Sequence, residues 1–523
     1  MIAIGVDYGT TTSWVARLSD RDPRPLLASM RSALFIANDG NDIFFGNDAV
    51  TREGGDGIYI NSPKNYVVNS AQQDFEYEFH YSFDTVVNQY VQILLNKVEG
   101  VRAENDEFYH ITVTIPNCYN GGQMRYMYDV FMHVLSQRYP NFELYLLPEP
   151  IAAALHYVVS TPVVCGCDSK YLLVCDIGGG TTDLALIYMS RMANADGKYD
   201  IEFKVVTTEY DGKLGGNNID SHLYDYLFNY NANGFTSVAD DYECRSSVVS
   251  LKEALSSCSS AEQNIVLSNN TLKSLTLFRD ELEQVMDGSI GNRVSLTIID
   301  KLASKMLALK ARVNEEYRKR TKENFNWSNV VLLPVGGTMR IPCLREKFRT
   351  IFSGASMVDL DTESRETFDS VVYGAMYYSA IRGGMPSNIS NVVIEGRTCH
   401  PISVEFLNGR LHPIVRANMP DGEYRIDTLR PLSVDSKGNF IVEELRLYLQ
   451  GEGEVAPGMT PDFTIPVKGE FAANGRDAEN IPIVLILTIE HSLISKVKVV
   501  IENVNSEGGN FEKEYSGELI AKR

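Results

Sequence analysis

Basic residues are scarce in this 523-residue sequence: 48 Lys and Arg stand against 68 Asp and Glu, for a formal net charge of −20. A nucleic acid or an anionic membrane would demand a basic face, so the balance argues against both partners. Long apolar runs are missing as well. The longest, IPIVLILTI from Ile481, is too short to span a bilayer, and the chain opens directly in a strand with no basic leader. Together these features read as a soluble cytoplasmic protein. The eight cysteines are scattered, and Cys165-Gly166-Cys167 has the wrong spacing for a zinc knuckle or a redox pair, so the thiols read as reduced and structural. The eight histidines show no metal-ligand spacing. No Gly-Lys-Ser/Thr follows a glycine run, which removes the usual P-loop, and no helical pattern opens after the glycines as a dinucleotide fold requires.

What is present is enough apolar content, 44%, for real cores, and enough length for more than one domain. Two passages repeat one order of parts. IAIGVDYGTTTSW, Ile2 to Trp14, and LLVCDIGGGTTDLALI, Leu172 to Ile187, each run from an apolar strand to an aspartate, a glycine turn, paired threonines and a returning apolar stretch. Each reads as a β-hairpin with a glycine-rich tip, which can aim several backbone N–H groups at one anion, phosphate being the obvious one. Asp7 and Asp176 end buried strands, where a carboxylate is costly unless it meets a cation. Magnesium carried by a nucleotide fits, because it keeps waters and takes one or two carboxylates beside phosphate oxygens.

Strand and helix signals alternate through the first half, as an α/β fold should. Asp84 to Val98 carries apolar residues at helical spacing behind an aspartate cap. His110 to Pro116 reads as a strand, 123–138 as a helix, and PEPIAAALHYVV as a helix with Pro150 in its first turn. Helices are expected around Ser247 to Ala261 and from Asp300 to Lys322, with Lys310 to Lys322 as a solvated face. Val330 to Pro342 is a buried strand entering a glycine pair. The texture changes near Gly383, after which the chain alternates in period two without a strong helix, as a β-rich module would.

Seven motifs, GVDYGTTTS, SPKNYV, VTIPNCYNGGQ, PEPIAAALHY, CDIGGGTTD, KLGGNNID and VGGTMRIP, occur in an order that resembles the DnaK-type, seventy-kilodalton heat-shock chaperones, whose ATPase domain belongs to the actin and hexokinase superfamily. The resemblance implies an α/β, two-lobed actin-like domain over 1–383 (lobes about 1–160 and 161–383), a linker at 384–396, and a β-sandwich resembling a peptide-binding domain over 397–523. It implies ATP or ADP with Mg2+, and K+, as cofactors. Asp7 and Asp176 then look like carboxylates holding hydrated magnesium, and Asp183 like a monovalent-cation ligand. Gly9, Thr10, Thr11 and the amides around Gly178, Gly179, Gly180 and Thr181 resemble the phosphate cradle, with Thr181 close to the γ-phosphate. Lys64 sits where the family keeps a lysine reaching that phosphate, and Glu149 matches the glutamate near the attacking water. Gly215, Gly216, Lys252 and Ser256 fall on the nucleotide side of the second lobe, while Gly336, Gly337 and Arg340 resemble the adenosine-binding turn.

Several positions depart from the family's wording. Val249 and Glu253 replace an acidic and a basic residue on the adenine-pocket helix, and Glu366-Thr367-Phe368-Asp369 replaces Asn-Pro-Asp-Glu. Met124 separates Gln123 from Arg125 where an interdomain relay arginine is expected directly. The leucine-rich acidic linker is reduced to NVVIE, Asn391 to Glu395, which leaves the docking that depends on it open. LRLYLQGEGE, Leu445 to Glu454, resembles the peptide-binding strand and turn, and the sequence ends at Arg523 without the helical lid usual in the family, so weak holding and fast exchange are expected of any peptide. The implied activity is a slow ATPase coupled to binding and release of extended or unfolded polypeptide, with a J-domain co-chaperone and a nucleotide-exchange factor as implied partners. An actin-like scaffold or filament former, an enzyme-reactivating factor and a small-molecule kinase are the alternatives, the last lacking a carboxylate base beside a sugar pocket.

Overall fold

A computed structural model describes residues 1–22, 24–38, 42–53, 55–67, 82–98, 107–117, 119, 121–161, 167–230, 238–267, 270–291, 297–358, 369–398, 400–405, 409–429, 444–449, 453–455, 461–466, 483–490, 493–501 and 511–516. Two sheets built to one plan hold the first two thirds. In the first, Ile2–Asp7 pairs antiparallel with Thr12–Ser19 and parallel with Tyr109–Ile115; Leu26–Arg31 and Phe142–Pro148 form the edges. In the second, Cys167–Ile177 pairs antiparallel with Thr182–Ala193 and parallel with Val330–Val335, and Tyr199–Asp211 continues the sheet. Both repeated passages are therefore hairpins, with Asp7 opposite Trp14 in one and Asp176 opposite Asp183 in the other.

Two apolar helices carry the chain between the lobes. Glu149–Ser160 follows the last strand of the first sheet yet packs its Ala153 and Leu155 on Leu172, Val174 and Ala185 of the second. Ser370–Arg382 reaches back to the first, where the Ser379 hydroxyl lies 2.6 Å from that of Thr112 and donates to the Ile4 carbonyl. The helices cross where a Cβ on Gly374 would stand 1.8 Å from the Ala152 carbonyl oxygen, so only glycine permits the approach.

Smaller units cap each lobe: a three-stranded sheet of Ile43–Phe45, Ala33–Ala37 and Gly57–Asn61 on the first, and the hairpin Ser260–Val266 with Leu272–Phe278 beside helix Val238–Leu255 on the second. Three local expectations are corrected here. The helix expected to run to Ala261 ends at Leu255, because Ser260 and Ala261 pair with Phe278 and Leu277 as strand. Ser82, not Asp84, occupies the N-cap of Phe83–Asn96; Asp84 lies in the first turn and accepts from the Tyr126 hydroxyl at 2.6 Å. Nor is the face from Lys310 simply solvated. The Lys310 ammonium lies 5.6 Å from the Trp327 ring centre and Arg312 meets Glu209 at 2.6 Å, while Lys319 and Arg320 are exposed.

The β-rich region is a sandwich of a five-stranded sheet, with Ile402–Glu405, Arg410–Val415 and Glu444–Tyr448 at its centre, and a four-stranded sheet of Gly422–Leu429, Ile483–Glu490, Leu493–Ile501 and Phe511–Ser516. Alternate residues such as Val404, Leu447, Leu485, Leu487, Val497 and Val499 fill the space between them, as period-two patterning requires. Residues 450–452, within the stretch resembling the peptide-binding strand and turn, lie outside the described residues.

The connecting segment corrects the expectation that left docking open. Ile389–Glu395 pairs in parallel with Tyr199–Lys204 and becomes the sixth strand of the second sheet. Parallel pairing draws on backbone groups, so NVVIE makes it without a leucine-rich sequence. Beyond it, Arg397 donates to the carbonyls of Val205 and Asn418 at 2.9 and 2.8 Å, and the Asn418 amide donates to the Thr207 hydroxyl at 2.6 Å. On the first lobe, the Gly122 N–H at the start of helix Gly121–Arg138 donates to Asp462 Oδ1 at 3.0 Å, while Asp462 Oδ2 accepts from the Leu449 N–H at 2.6 Å.

Candidate functional site

The tips of the two hairpins meet at the floor of the cleft between the lobes. A Cβ on Gly179 would stand 1.8 Å from Thr11 Oγ1, and one on Gly180 would stand 2.9 Å from Thr10 Cγ2, so the glycines are what let the tips close on each other. Each tip is held by its own lobe. Ser32 donates its hydroxyl to the Gly9 carbonyl at 2.6 Å and its N–H to that of Thr11 at 2.9 Å. In the second lobe, the N–H groups of Gly216 and Asn217 donate to the carbonyls of Gly178 and Gly179 at 3.0 and 2.7 Å, and the Thr338 hydroxyl donates to Gly178 at 2.9 Å.

Above the tips opens a cavity of about 650 Å3. Of the residues singled out in the sequence, Asp7, Gly9, Thr10, Thr11, Lys64, Glu149, Asp176, Gly178, Gly179, Thr181, Lys252, Ser256, Gly336, Gly337 and Arg340 line it. Gly180, Asp183, Gly215 and Gly216 stand just behind the wall; the Gly216 carbonyl accepts from Lys252 at 3.3 Å. Gly336 has φ +83 and a Cβ there would lie 2.5 Å from Asp176 Oδ1, so the turn after Val330–Val335 admits no side chain.

Charge in the floor is lopsided. Lys64 is buried, its Nζ 2.8 Å from Glu149 Oε1, among the buried carboxylates of Glu149 and Asp183 and the half-buried ones of Asp7 and Asp176. Burial, followed by repulsion from Glu149, raises the Asp7 pKa to about 7 and that of Asp183 to about 8. The same two causes, with Asp183 and Asp7 adding to them, push Asp176 well above the carboxylate range. Burial works against the Lys64 ammonium, but Glu149, Tyr119 and Asp7 outweigh it and the pKa is raised. Buried polar oxygens also go unused: Asp183 Oδ1 and Thr11 Oγ1 have no hydrogen-bond partner. Clustered, partner-poor carboxylates of this kind favour a bound cation. Among the described residues no three His, Cys, Asp or Glu converge as a metal cage.

Sequence reading missed several residues of the cavity. Arg31 lies on the first lobe's edge strand and its Nη1 is 3.7 Å from Glu253 Oε1 on helix Val238–Leu255, an ion pair across the cleft. Asp220 holds Lys252 at 2.7 Å. Trp14, Tyr59, Tyr224 and Arg245 line the outer part. Aromatic and basic residues beside a glycine-rich tip offered a signal for Trp14 alone; the others become neighbours only through folding. Val249 and Glu253 both line the cavity. Asp369 is buried, and Glu366, Thr367 and Phe368 lie outside the described residues.

A family model described as "Hsp70 protein" matches residues 62–420. The chain belongs to the Hsp70 family. Its two-lobed α/β architecture is thus the actin-like ATPase fold of that family, followed by a β-sandwich. Two curated Hsp70-type relatives are the chaperone protein HscA homologs of Burkholderia multivorans and Methylococcus capsulatus. The first is 25% identical over 455 residues, covering 80% of this chain and 64% of the relative. The second is 25% identical over 389 residues, covering 69% of this chain and 56% of the relative. The chain therefore spans less than two thirds of the length of the relatives it matches. No helix among the described residues is long and apolar enough to cross a membrane.

Proposed function

We propose that this Hsp70-family protein binds ATP between its lobes, hydrolyses it slowly, and uses the nucleotide state to govern how the β-sandwich holds extended polypeptide. The observation that carries this reading is the continuity between the two parts: the connecting strand Ile389–Glu395 is hydrogen-bonded into the sheet whose central hairpin ends at Asp176 and Thr181. A shift of that sheet on nucleotide binding reaches the sandwich through backbone, with Asp462 as a second tie to the first lobe. The chaperone names of the HscA homologs support the same reading. The proposed division is lobes over 1–383, connector over 384–396 and sandwich from 397.

Within the site, Thr10, Thr11 and the amides of Gly178 to Thr181 would cradle phosphates, and Gly336, Gly337 and Arg340 would face the adenosine. Lys64, held by Glu149, would stabilise charge on the transferring phosphoryl group, and Glu149 and Thr181 would position water. Magnesium would sit near Asp7 and Asp176 and K+ near Asp183, supplying neutralisation of phosphate charge. A J-domain co-chaperone and a nucleotide-exchange factor belong to the same proposal.

The test is the release rate of a labelled, extended apolar peptide with and without magnesium ATP, with Thr181→Ala as control. Faster release in ATP for the wild type only supports coupling. Release at one rate regardless of nucleotide overturns the coupled reading and leaves an ATPase whose sandwich serves another partner.

A further inference from the structure

A second cavity, about 290 Å3, lies beneath the connecting strand and apart from the nucleotide cleft. Its walls are largely apolar, from Pro116 and Ile151 on one side to Val392 and Ile394 on the other. The rings of Tyr145 and Tyr378 meet edge to face in it, 6.0 Å apart at 88°. Arg382 is the one charged residue lining it. Its guanidinium lies 5.3 Å from the Tyr145 ring centre and, among the described residues, is within ion-pair distance of no carboxylate. The Tyr145 hydroxyl is shared by Glu143, by His110 Nδ1 at 3.0 Å and by Arg382 itself, so Arg382 meets a neutral hydroxyl there and no carboxylate.

We propose that this cavity binds a small aromatic carboxylate, of the size of cinnamate or indole-3-acetate, with the ring between the tyrosines and the apolar strand and the carboxylate on Arg382. Apolar walls with one well-placed charged group are the usual make-up of a small-molecule site, and the volume is at the lower end of such sites. An exposed guanidinium at the mouth lets the carboxylate remain partly hydrated, so the charge pair escapes the full desolvation cost that burial would impose. Asn391, Val392, Val393 and Ile394 all belong to the connecting strand, so one wall exists only while that strand is paired with Tyr199–Lys204. A ligand held here stabilises the docked strand by mass action, about tenfold in the docked-to-undocked ratio at ten times its Kd. The inference goes beyond the nucleotide-dependent reading and stands or falls without nucleotide.

The experiment uses the full chain, free of nucleotide, titrated with cinnamate and indole-3-acetate and with the corresponding amides, by calorimetry. Amide hydrogen exchange is followed over 389–395 in parallel. One-to-one saturable binding of a carboxylate is expected, at least fivefold weaker for its amide and for Arg382→Gln, with exchange over 389–395 slowed at least fivefold at saturation. Arg382 ends its helix and is exposed, so the variant keeps the fold; an unchanged Tm checks this. Absence of saturable binding by both carboxylates overturns the proposal. So does binding that is indifferent to the amide and to Arg382→Gln, which marks the probe as an adventitious additive only. Binding without slower exchange at 389–395 overturns the placement under the strand.

Discussion

The Lys64 ammonium lies 2.8 Å from the Glu149 carboxylate, with both side chains less than a tenth exposed, although 85 residues separate them in the chain. Lys64 comes from the short turn Pro63–Val67 of the first lobe, and Glu149 opens the helix that leads to the second. Exposed ion pairs contribute little, but removing one partner of a buried pair costs about 3–5 kcal/mol, because the other charge is left without compensation. Lys64→Met is therefore expected to lower the stability of the nucleotide-free protein by several kcal/mol in chemical denaturation. It should also reduce ATP turnover by about 10²–10³-fold, the usual loss for one preorganised charge-stabilising group.

Asp7 and Asp183 make stability depend on pH in a definite sense. Their folded pKa values, about 7 and about 8, lie above those of the unfolded chain, so the native state keeps protons that the unfolded state releases. The stability this contributes is fully present below the unfolded carboxylate pKa near 4 and is lost as pH rises through 7 and 8. Unfolding free energies from denaturant titration without nucleotide or added divalent cation should fall from pH 6 to pH 8, by roughly 1–2 kcal/mol per group. Asp183→Asn should flatten the slope, and magnesium ATP should oppose it. A midpoint that rises over this range contradicts the assignment.

Asp462 ties the sandwich to the first lobe, accepting from the N–H groups of Gly122 and Leu449 with its two oxygens. Asp462→Ala leaves both donors without that acceptor, a loss of about 1–3 kcal/mol shared between docking and the fold of the sandwich. Faster amide exchange at 389–395, with the nucleotide-binding lobes unaffected in ATP affinity, is the expected result.

Arg31 and Glu253 face each other across the cleft mouth at 3.7 Å, one third and more than half exposed. A pair so open to solvent contributes up to about 1 kcal/mol, so Glu253→Gln should speed nucleotide release only about two- to fivefold. Stopped-flow displacement of a fluorescent ADP measures it, and the effect should fade at high salt.

Two tryptophans are present, and only Trp14 lines the cleft; Trp327 packs 5.0 and 4.9 Å from the rings of Phe325 and Phe352. Magnesium ATP should alter tryptophan emission in the wild type and in Trp327→Phe, and leave Trp14→Phe unchanged.

Much of the site was legible because its signals are local. A strand that ends in Asp, followed by glycines and threonines and a second apolar strand, is one hairpin whatever surrounds it, and two copies announced Asp7, Thr10, Thr11, Asp176 and Thr181. Glu149 was named only through the resemblance carried by PEPIAAALHY, and the structure places it at a helix start on the cavity wall. Local signals misled where two structures compete for the same residues. Asp84 is a good cap by composition, yet Ser82 holds that position, and the helix expected to reach Ala261 gives way to a strand that pairs with Leu277. NVVIE carried too little pattern to announce a docked strand, because an edge strand is held by backbone hydrogen bonds that few side chains specify.

By itself the amino-acid sequence determined which residues could bend, bind phosphate or bury, since hairpin tips, helix starts and period-two strands depend on neighbours a few positions apart. Only the tertiary structure decided which charges share the floor of the cleft, and so which carboxylate pKa values rise, which arginine spans the lobes and which meets a tyrosine beneath the connecting strand. Those outcomes depend on distance and dielectric between residues hundreds of positions apart, and neither quantity is written in the local order of the chain.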